Sequence, residues 1–197
     1  MFHRTERLLL RPGFAEDAPE LARAIGEHAI VRNLATAPWP YGEDDARAFL
    51  AVERPALLPS FVLALRTRGL PRIVGMCGIG EAPEGGVELG YWIARPYWGL
   101  GFATEAARAV IGIARAIGIA DVHAGHFTDN PASGRVLAKA GFRPTGRIAQ
   151  RFSLARGGES DCVLYALAED EGAGEGAGGD SDVAMRDYRE NIRLLAA

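Results

Sequence analysis

Hydrophobic positions in residues 1–167 follow two different spacings along the chain. Stretches in which apolar and polar residues alternate predict strands, and stretches with helical spacing, bounded by Pro, Asn or Gly, predict helices. The predicted strands cover residues 7–11, 61–66, 73–79, 87–93, 122–127, 147–154 and 162–167, and the predicted helices cover residues 17–28, 43–52, 103–117 and 131–140. Hairpin-connected strands followed by a crossover helix and a further strand predict an α+β fold with a mixed sheet.

The C-terminal part of the chain has a different composition. Residues 168–182 hold six acidic residues, five glycines and no basic residue, which predicts a flexible, solvated linker. Beyond it, Met185, Tyr188, Ile192 and Leu195 recur at helical spacing and predict an amphipathic helix over 183–197. The sequence therefore predicts a domain of residues 1–167, a linker and a short helix. That helix either docks on its own domain or contacts a partner, as in a homodimer.

Charge and cysteine content exclude several classes of protein. The formal net charge is −3, with 22 basic and 25 acidic residues, so no global basic field is available for nucleic acid or an anionic membrane. No apolar run approaches the roughly 18 residues that span a bilayer. Cys77 and Cys162 stand outside any Cys/His cluster with metal-ligand spacing, and we expect both in the core. These features predict a cytoplasmic protein with no metal, nucleic-acid partner or membrane partner.

Gly99 and Gly101 stand in a loop between the predicted strand 87–93 and the predicted helix 103–117. Unpaired N–H groups at a helix start converge with the positive end of the helix dipole, and glycines let backbone approach a phosphate closely. A dinucleotide fingerprint would need glycine at Thr104, and a nucleotide P-loop would need Gly-Lys-Ser/Thr, which is absent. The loop indicates either a site for the pyrophosphate of another ligand or a tight turn.

A second candidate site lies at the start of the predicted helix 131–140. Asn130 with Pro131 behind it makes a good helix start, and Gly141 makes a good helix end. Asn130 and Ser133 therefore have two interpretations: they cap the helix, or they face a ligand.

Together and in this order, these segments resemble the GNAT family of acyl-CoA N-acyltransferases, more narrowly its RimJ/RimL-like branch. The motifs are Thr5-Glu6-Arg7-Leu8-Leu9-Leu10-Arg11, Glu88-Leu89-Gly90-Tyr91-Trp92-Ile93, Trp98-Gly99-Leu100-Gly101-Phe102-Ala103-Thr104-Glu105-Ala106, Asn130-Pro131-Ala132-Ser133 and Gly141-Phe142. The resemblance covers residues 4–167 and leaves out the C-terminal tail. It implies the GNAT fold, with a mostly antiparallel sheet splayed between the fourth and fifth predicted strands and helices on both faces.

The resemblance also implies acetyl-CoA, or another acyl-CoA, as cosubstrate. The residues that it assigns to the pyrophosphate are Trp98, Gly99, Leu100, Gly101, Phe102, Ala103 and Thr104, and those whose backbone would pair with the pantetheine arm are Trp92, Ile93 and Ala94. Asn130 matches the family's cofactor-contacting asparagine. Ser133 matches a serine near the thioester sulfur, where it would protonate or hydrogen-bond the departing thiolate.

The chain departs from the family pattern at three positions. Trp98 replaces a Gln or Arg of the phosphate loop, although backbone N–H groups rather than side chains hold the phosphates. Leu137 stands where many members have a tyrosine, which makes Ser133 the candidate acid. Ser153 stands where the branch has a glutamate base, and a serine cannot serve.

Two other residues are candidate bases. Glu88 would act through water, or it is a surface residue. His126 would act on the splayed strand, or it is a hydrogen-bonded inner histidine.

The segment between the first two predicted helices is the candidate acceptor site. Arg32, Asn33, Trp39 and Tyr41 are its candidate substrate-binding residues, because prolines beside aromatic residues make a stiff, adhesive loop. The alternative is that the two aromatic residues cover a core edge.

The function implied is that of an acetyl-CoA-dependent N-acetyltransferase, in which a primary amine of a protein N-terminus or a small molecule attacks the thioester directly. The alternative is a non-catalytic acyl-CoA-binding sensor or dimerisation module. A Rossmann-type nucleotide-binding protein is a third interpretation.

Overall fold

The computed structural model describes residues 1–66 and 72–168, which contain one sheet of eight strands. The strands are β1 His3–Arg4, β2 Leu8–Arg11, β3 Ser60–Leu65, β4 Arg72–Glu81, β5 Val87–Ile93, β6 Val122–Phe127, β7 Phe142–Ser153 and β8 Gly158–Leu167. Their order across the sheet is β1-β2-β3-β4-β5-β6-β8-β7. Among the described pairings, β5 with β6 is parallel and the others are antiparallel.

Helices cover both faces of this sheet. They are α1 Ala18–Ile25, α2 His28–Val31, α3 Glu43–Ala51, α4 Phe102–Ala116 and α5 Pro131–Ala140. On one face, α4 and α5 bury Val110 and Leu137 against the strands in the main core. On the other face, smaller clusters join α1, α2 and α3 to the sheet. The α+β class, the mixed sheet and the two helical layers are confirmed.

The predicted helix over 17–28 is two separate helices in the structure. α1 ends at its C-cap, Gly26, a weak helix former. The Gly26 N–H makes the last hydrogen bond of this helix, to the Ala22 carbonyl at 2.9 Å. Glu27 is then extended, and α2 begins at His28. The apolar spacing runs through this break because Ile25 and Ile30 both face the same core cluster, which is why the sequence predicted one helix.

The last two strands begin earlier than the sequence predicted. β7 starts at Phe142 rather than at residue 147, and its pairing with β8 shifts register between Pro144 and Ile148. The proline and Gly146 interrupt the alternation, so the pattern concealed the first part of the strand. β8 starts at Gly158, before the predicted residue 162, and the two-residue strand β1 was not predicted.

β5 and β6 separate soon after they meet. Their pairing is limited to Val87 with Val122 and Glu88 with His123, although β5 continues to Ile93 and β6 to Phe127. The predicted splay between these two strands is therefore confirmed. It opens a gap in the middle of the sheet that the strands themselves do not fill.

The remaining predictions concern the C-terminal tail, the turn at Gly69, the two cysteines and membrane-spanning helices. The linker after Ala168, the helix over 183–197 and the hairpin turn at Gly69 lie outside the described residues. Cys77 and Cys162 are buried and free of any disulfide. Within the described ranges, no helix has the length and apolar character needed to cross a bilayer.

Leu137, the position to which the resemblance assigns a tyrosine, is completely buried in the main core. We expect Leu137→Ala to lower the free energy of unfolding by about 2–5 kcal/mol, because it removes buried methyl groups and leaves a cavity. Urea unfolding measures this loss. Ile148→Ala on β7, where the side chain is 62% exposed, is the control, with a change within about 0.5 kcal/mol. Equal effects of the two substitutions would contradict the packing described here.

Candidate active site

A cleft of about 1350 Å³ passes through the gap between β5 and β6. On one face of the sheet it is lined by the loop before α4 and by α5, and on the other by α1, α2 and α3. The first face is called the α4/α5 side below and the second the α1/α3 side. A ligand on one side can therefore meet a ligand on the other through the gap.

The loop before α4 contains two glycines in the left-handed region. Gly99 has a φ of 76° and Gly101 a φ of 83°, where a side chain would be strained. The first hydrogen bond into the helix runs from the Glu105 N–H to the Gly101 carbonyl at 3.1 Å. The N–H groups of residues 102–104 therefore precede the helical ladder, at the positive end of the helix dipole, where they can bind an anion.

This loop is anchored to the start of β2. The Glu105 carboxylate accepts hydrogen bonds from the Thr5 hydroxyl at 2.6 Å, the Arg7 N–H at 2.9 Å and the Arg7 Nε at 2.7 Å. The Arg7 Nη1 in turn donates to the Leu100 carbonyl at 2.8 Å, and the guanidinium lies 4.4 Å from the centre of the Phe102 ring. Burial alone would raise the pKa of Glu105, but the hydrogen bonds from Thr5 and Arg7 lower it. The network fixes the loop and gives the Leu100 carbonyl oxygen a partner within the protein.

The backbone of β5 presents alternate residues to the gap. The Ala94 N–H donates to the Val74 carbonyl on β4 at 2.8 Å, so strand alternation turns the N–H and C=O of Ile93 and Tyr91 toward the gap. Trp92 and Ala94, which the sequence also assigned to the pantetheine arm, direct their backbone groups at β4. The Trp98 indole N–H already donates to the Ile93 carbonyl at 2.5 Å.

Ser133 lies in the first turn of α5, beside β5. Asn130 caps this helix, because its side-chain oxygen accepts the Ser133 N–H at 3.4 Å. The Ser133 Oγ is 2.7 Å from the Tyr91 hydroxyl, and that hydroxyl is 3.2 Å from the Ser133 carbonyl. Burial raises the pKa of Tyr91 well above its usual range, so this phenol keeps its proton and donates hydrogen bonds. Asn130 thus caps the helix while also lining the cleft, so the two interpretations made from the sequence are compatible.

His126 has both ring nitrogens close to polar groups. Its Nδ1 is 2.8 Å from the Phe127 carbonyl, which can only accept, so Nδ1 carries the proton in the neutral ring. Its Nε2 is 3.3 Å from the Tyr165 hydroxyl and lies so close to α5 that a Cβ on Gly134 would come within 2.6 Å. This is the inner, hydrogen-bonded histidine of the alternative interpretation, although the ring also borders the cleft.

Glu88 lines the cleft from the α1/α3 side, because alternation along β5 places it on the face opposite Tyr91. Its Oε2 accepts from the Arg151 Nη1 at 3.1 Å, and the Arg151 Nη2 donates to Glu84 at 2.6 Å. Burial raises the pKa of Glu88, and the charge of Arg151 offsets part of that rise. The Arg151 Nε is buried with no hydrogen-bond partner among the described residues. A carboxylate with a raised pKa is a stronger base than an ordinary glutamate.

Ser153, the position to which the resemblance assigns a glutamate base, is completely buried and donates to the Leu34 carbonyl at 2.8 Å. Arg32 forms a salt bridge with Asp129 at 2.6 Å, and Arg156 binds the other Asp129 oxygen at 2.8 Å and the Asn33 side chain at 3.2 Å. These contacts fasten the segment after α2 to the loop before α5. They give Arg32 and Asn33 structural partners, and of the two only Asn33 borders the cleft.

The two aromatic candidates for acceptor binding are in different positions. Tyr41 borders the cleft, and burial raises its pKa to about 12. Trp39 is 46% exposed, contacts His28 edge to face with ring centres 5.3 Å apart, and is not among the residues that line the cleft.

The structure thus brings most of the predicted cofactor residues together with Ser133, Glu88, His126 and Tyr41 around one cleft. Sequence reasoning gave no role to Tyr91, Arg151 or Glu105. Tyr91 belongs to the motif of residues 88–93. Because successive side chains of a strand point to opposite faces, Tyr91 could have been placed on the face opposite Trp92, which is the face that carries Ser133. Arg151 reaches Glu88 from a strand far along the chain, which no local pattern signals. Among the described residues, no group of three or more His, Cys, Asp or Glu is arranged to hold a metal.

Comparison with known proteins is consistent with this geometry. The family model of the acetyltransferase (GNAT) domain matches residues 7–143. The uncharacterized N-acetyltransferase p20 of Bacillus licheniformis is 25% identical over 175 residues, which cover 86% of this chain and 97% of that protein. The uncharacterized N-acetyltransferase YoaA of Bacillus subtilis is 34% identical over 83 residues, covering 42% of this chain and less than half of that protein, 46%.

Solved structures share the fold. An acetyltransferase of the GNAT family from Bacillus anthracis superposes with a TM-score of 0.72 and 25% identity, covering 87% of this chain and 100% of that one. The ribosomal L7/L12 alpha-N-protein acetyltransferase RimL, solved in complex with coenzyme A, has a TM-score of 0.71 at 16% identity. That match covers 86% of this chain and 99% of RimL.

The network around Glu105 makes a pH-dependent contribution to stability. Because the folded pKa of Glu105 is lowered, its stabilisation is present above the ordinary glutamate pKa of about 4.3 and is lost as pH falls through the folded value. We expect Glu105→Gln to lower the free energy of unfolding at pH 7 by about 1–3 kcal/mol, and the difference from wild type to shrink on acidification. Urea unfolding at several pH values measures both effects. Glu43→Gln, which breaks an exposed pair with Arg47, should change little at any pH.

Proposed function

The chain belongs to the GNAT acetyltransferase family, whose members are acetyl-CoA-dependent N-acetyltransferases, and we propose that its cleft joins a thioester on the α4/α5 side to a primary amine on the α1/α3 side. The observation that carries this proposal is the division of the cleft by the sheet. Backbone N–H groups and the Ser133–Tyr91 pair border one side, and the Glu88 carboxylate borders the other.

The α4/α5 side fits an acyl-CoA. The N–H groups of residues 102–104 and the left-handed glycines make a cradle for pyrophosphate, and glycine leaves room for close approach. Arg135 and Lys139 on α5 line the same side and add positive charge for further phosphates. The Ile93 and Tyr91 backbone groups offer strand-like pairing to the amides of a pantetheine arm. Acetyl-CoA supplies an acetyl group activated as a thioester.

The amine nitrogen forms a bond to the thioester carbonyl carbon, the carbon–sulfur bond breaks, and the amine loses a proton. Glu88 is the group that takes this proton, directly or through water. An α-amine, with a pKa of about 7.7, is far more often neutral at pH 7 than a lysine side chain at about 10.4, so it needs less help from a base. Arg151 holds Glu88 in place and leaves its Oε1 without a hydrogen bond from the described residues.

Ser133 and Tyr91 serve the departing thiolate. When Tyr91 donates to the Ser133 Oγ, the Ser133 hydroxyl hydrogen is free to point at the sulfur. Ser133 donates this hydrogen bond and keeps its proton, and the departing thiolate takes its proton from water. Because burial raises the pKa of Tyr91, we assign it hydrogen-bond donation to Ser133 rather than proton loss.

We expect calorimetric titration to give 1:1 binding of acetyl-CoA and desulfo-CoA but not of NAD, and thiol release from acetyl-CoA when primary amines are added. Ser133→Ala and Tyr91→Phe should each lower the rate about 10²-fold while leaving acetyl-CoA affinity nearly unchanged. The first removes the hydrogen bond to the leaving group, and the second removes the hydroxyl that orients Ser133 toward it. The matched control is Tyr165→Phe, which also removes one tyrosine hydroxyl, the one near His126, and should leave the rate nearly unchanged. Binding without turnover of any amine would favour the non-catalytic acyl-CoA-binding module.

Glu88→Gln should lower kcat/KM by about 10²-fold or more at neutral pH. Below the raised pKa of Glu88, wild-type log kcat/KM should rise with a slope of two per pH unit, one for the amine and one for the carboxyl group. The variant should keep a slope of one. Glu84→Gln, which changes the other carboxylate bound to Arg151, should keep the slope of two, with the break at lower pH because the charge of Glu84 helps to raise the pKa of Glu88. A slope of one in the wild type would remove Glu88 as the base.

A further inference from the structure

The α1/α3 side of the sheet has few side chains next to Glu88. Antiparallel register pairs Gly80 with Glu88, Gly78 with Gly90 and Met76 with Trp92, and paired residues share a face of the sheet. Gly80 therefore lies directly beside Glu88, and Gly78 with Gly90 separates that pair from Met76 with Trp92. This bare part of the sheet borders the cleft and is called the glycine floor below.

Backbone geometry and packing account for only one of these glycines. None of the three has a positive φ. A Cβ on Gly78 would come within 2.7 Å of the Pro59 carbonyl oxygen, so close packing of the chain explains that glycine. A Cβ on Gly80 or Gly90 would meet nothing within 4 Å. Glycine weakens a strand, and here a larger side chain would fit at both positions. The open space above Gly80 and Gly90 therefore points to a ligand that occupies it.

The walls of this space are apolar, with charge at its ends. Phe49 of α3 and Val52, the residue that follows this helix, line the cleft together with Trp92. Glu88 stands at the end next to the gap. At the α3 wall, the Arg54 guanidinium lies 4.4 Å from the centre of the Phe49 ring and puts positive charge there.

Of the other charged residues that line the cleft, Arg151 is bound to Glu88, Asp45 accepts the Gly42 N–H, and Glu81 lies on the face of β4 opposite Gly80. A ligand with one ammonium and an apolar body matches this arrangement, whereas a second ammonium at the α3 wall would meet Arg54.

We propose that the glycine floor selects the acceptor, a primary monoamine with a slim apolar body such as an arylalkylamine or an unbranched alkylamine. This inference rests on the proposed function and names its substrate class. The ammonium lies beside Glu88 at the gap, and the hydrocarbon body lies over Gly80 and Gly90 against Phe49 and Trp92. The amine nitrogen, once deprotonated, faces the thioester through the gap.

The test compares amines by thiol release from acetyl-CoA. We expect kcat/KM, calculated per neutral amine, to be at least tenfold higher for 2-phenylethylamine and n-hexylamine than for putrescine, spermidine and an alanine-initiated peptide. A preference for the polyamines or the peptide would overturn this inference while leaving the proposed function intact. Acetyl-CoA binding with no amine-dependent thiol release would instead count against the proposed function.

Filling the floor provides the second measurement. Gly90→Leu has room for its Cβ, so the protein should fold and bind acetyl-CoA with unchanged affinity, yet lose at least tenfold in kcat/KM for 2-phenylethylamine, with Gly90→Ala in between. Gly112→Leu on the exposed side of α4, where a Cβ also meets nothing within 4 Å, is the matched control. Titration of 2-phenylethylamine into the protein with desulfo-CoA gives the same comparison without turnover. Equal binding to wild type and Gly90→Leu, or no binding to either, would overturn the inference.

Discussion

The parallel pairing of β5 and β6 ends after two residue pairs, and the functional residues depend on that ending. A parallel pair continued to Ile93 would bury the backbone groups of Tyr91 and Ile93 in a ladder and close the sheet. Because the strands separate, those groups are left for a ligand, and the two faces of the sheet communicate. Ser133 and Tyr91 can then serve one reactant and Glu88 the other, with only the thickness of the sheet between them.

Two groups of polar contacts hold the margins of this opening. At one margin, the Glu105 carboxylate joins the first turn of α4 to Thr5 and Arg7. At the other, Asp129 joins Arg32 and Arg156, which also packs 4.3 Å from the centre of the Phe127 ring. Each group joins segments that are distant in sequence, so the shape of the cleft is set by residues that do not contact either reactant.

The sequence predicted the parts of the molecule that local chemistry determines. Pro131, Asn130 and Gly141 bound α5 as expected, and Gly99 and Gly101 adopt the left-handed conformations that a close-approach loop requires. The resemblance to a family supplied the splay, which no local pattern encodes. What remained hidden was long-range: the hydrogen bond between Tyr91 and Ser133, and the reach of Arg151 to Glu88. The break at Gly26 and the bulge in β7 were missed because apolar spacing continues across the first and is interrupted at the second.

The Trp98 indole N–H that binds the Ile93 carbonyl affects how affinity for a cosubstrate is built. A pantetheine amide that donates to the same oxygen must share it with the indole or displace it, so that contact exchanges one hydrogen bond for another and adds little net free energy. The balance of affinity then shifts toward the phosphate end of the ligand, where the N–H groups of residues 102–104 have no partner among the described residues to give up. A fragment that carries only the pantetheine arm is at a disadvantage against this internal competitor, whereas a complete nucleotide-bearing thioester is not.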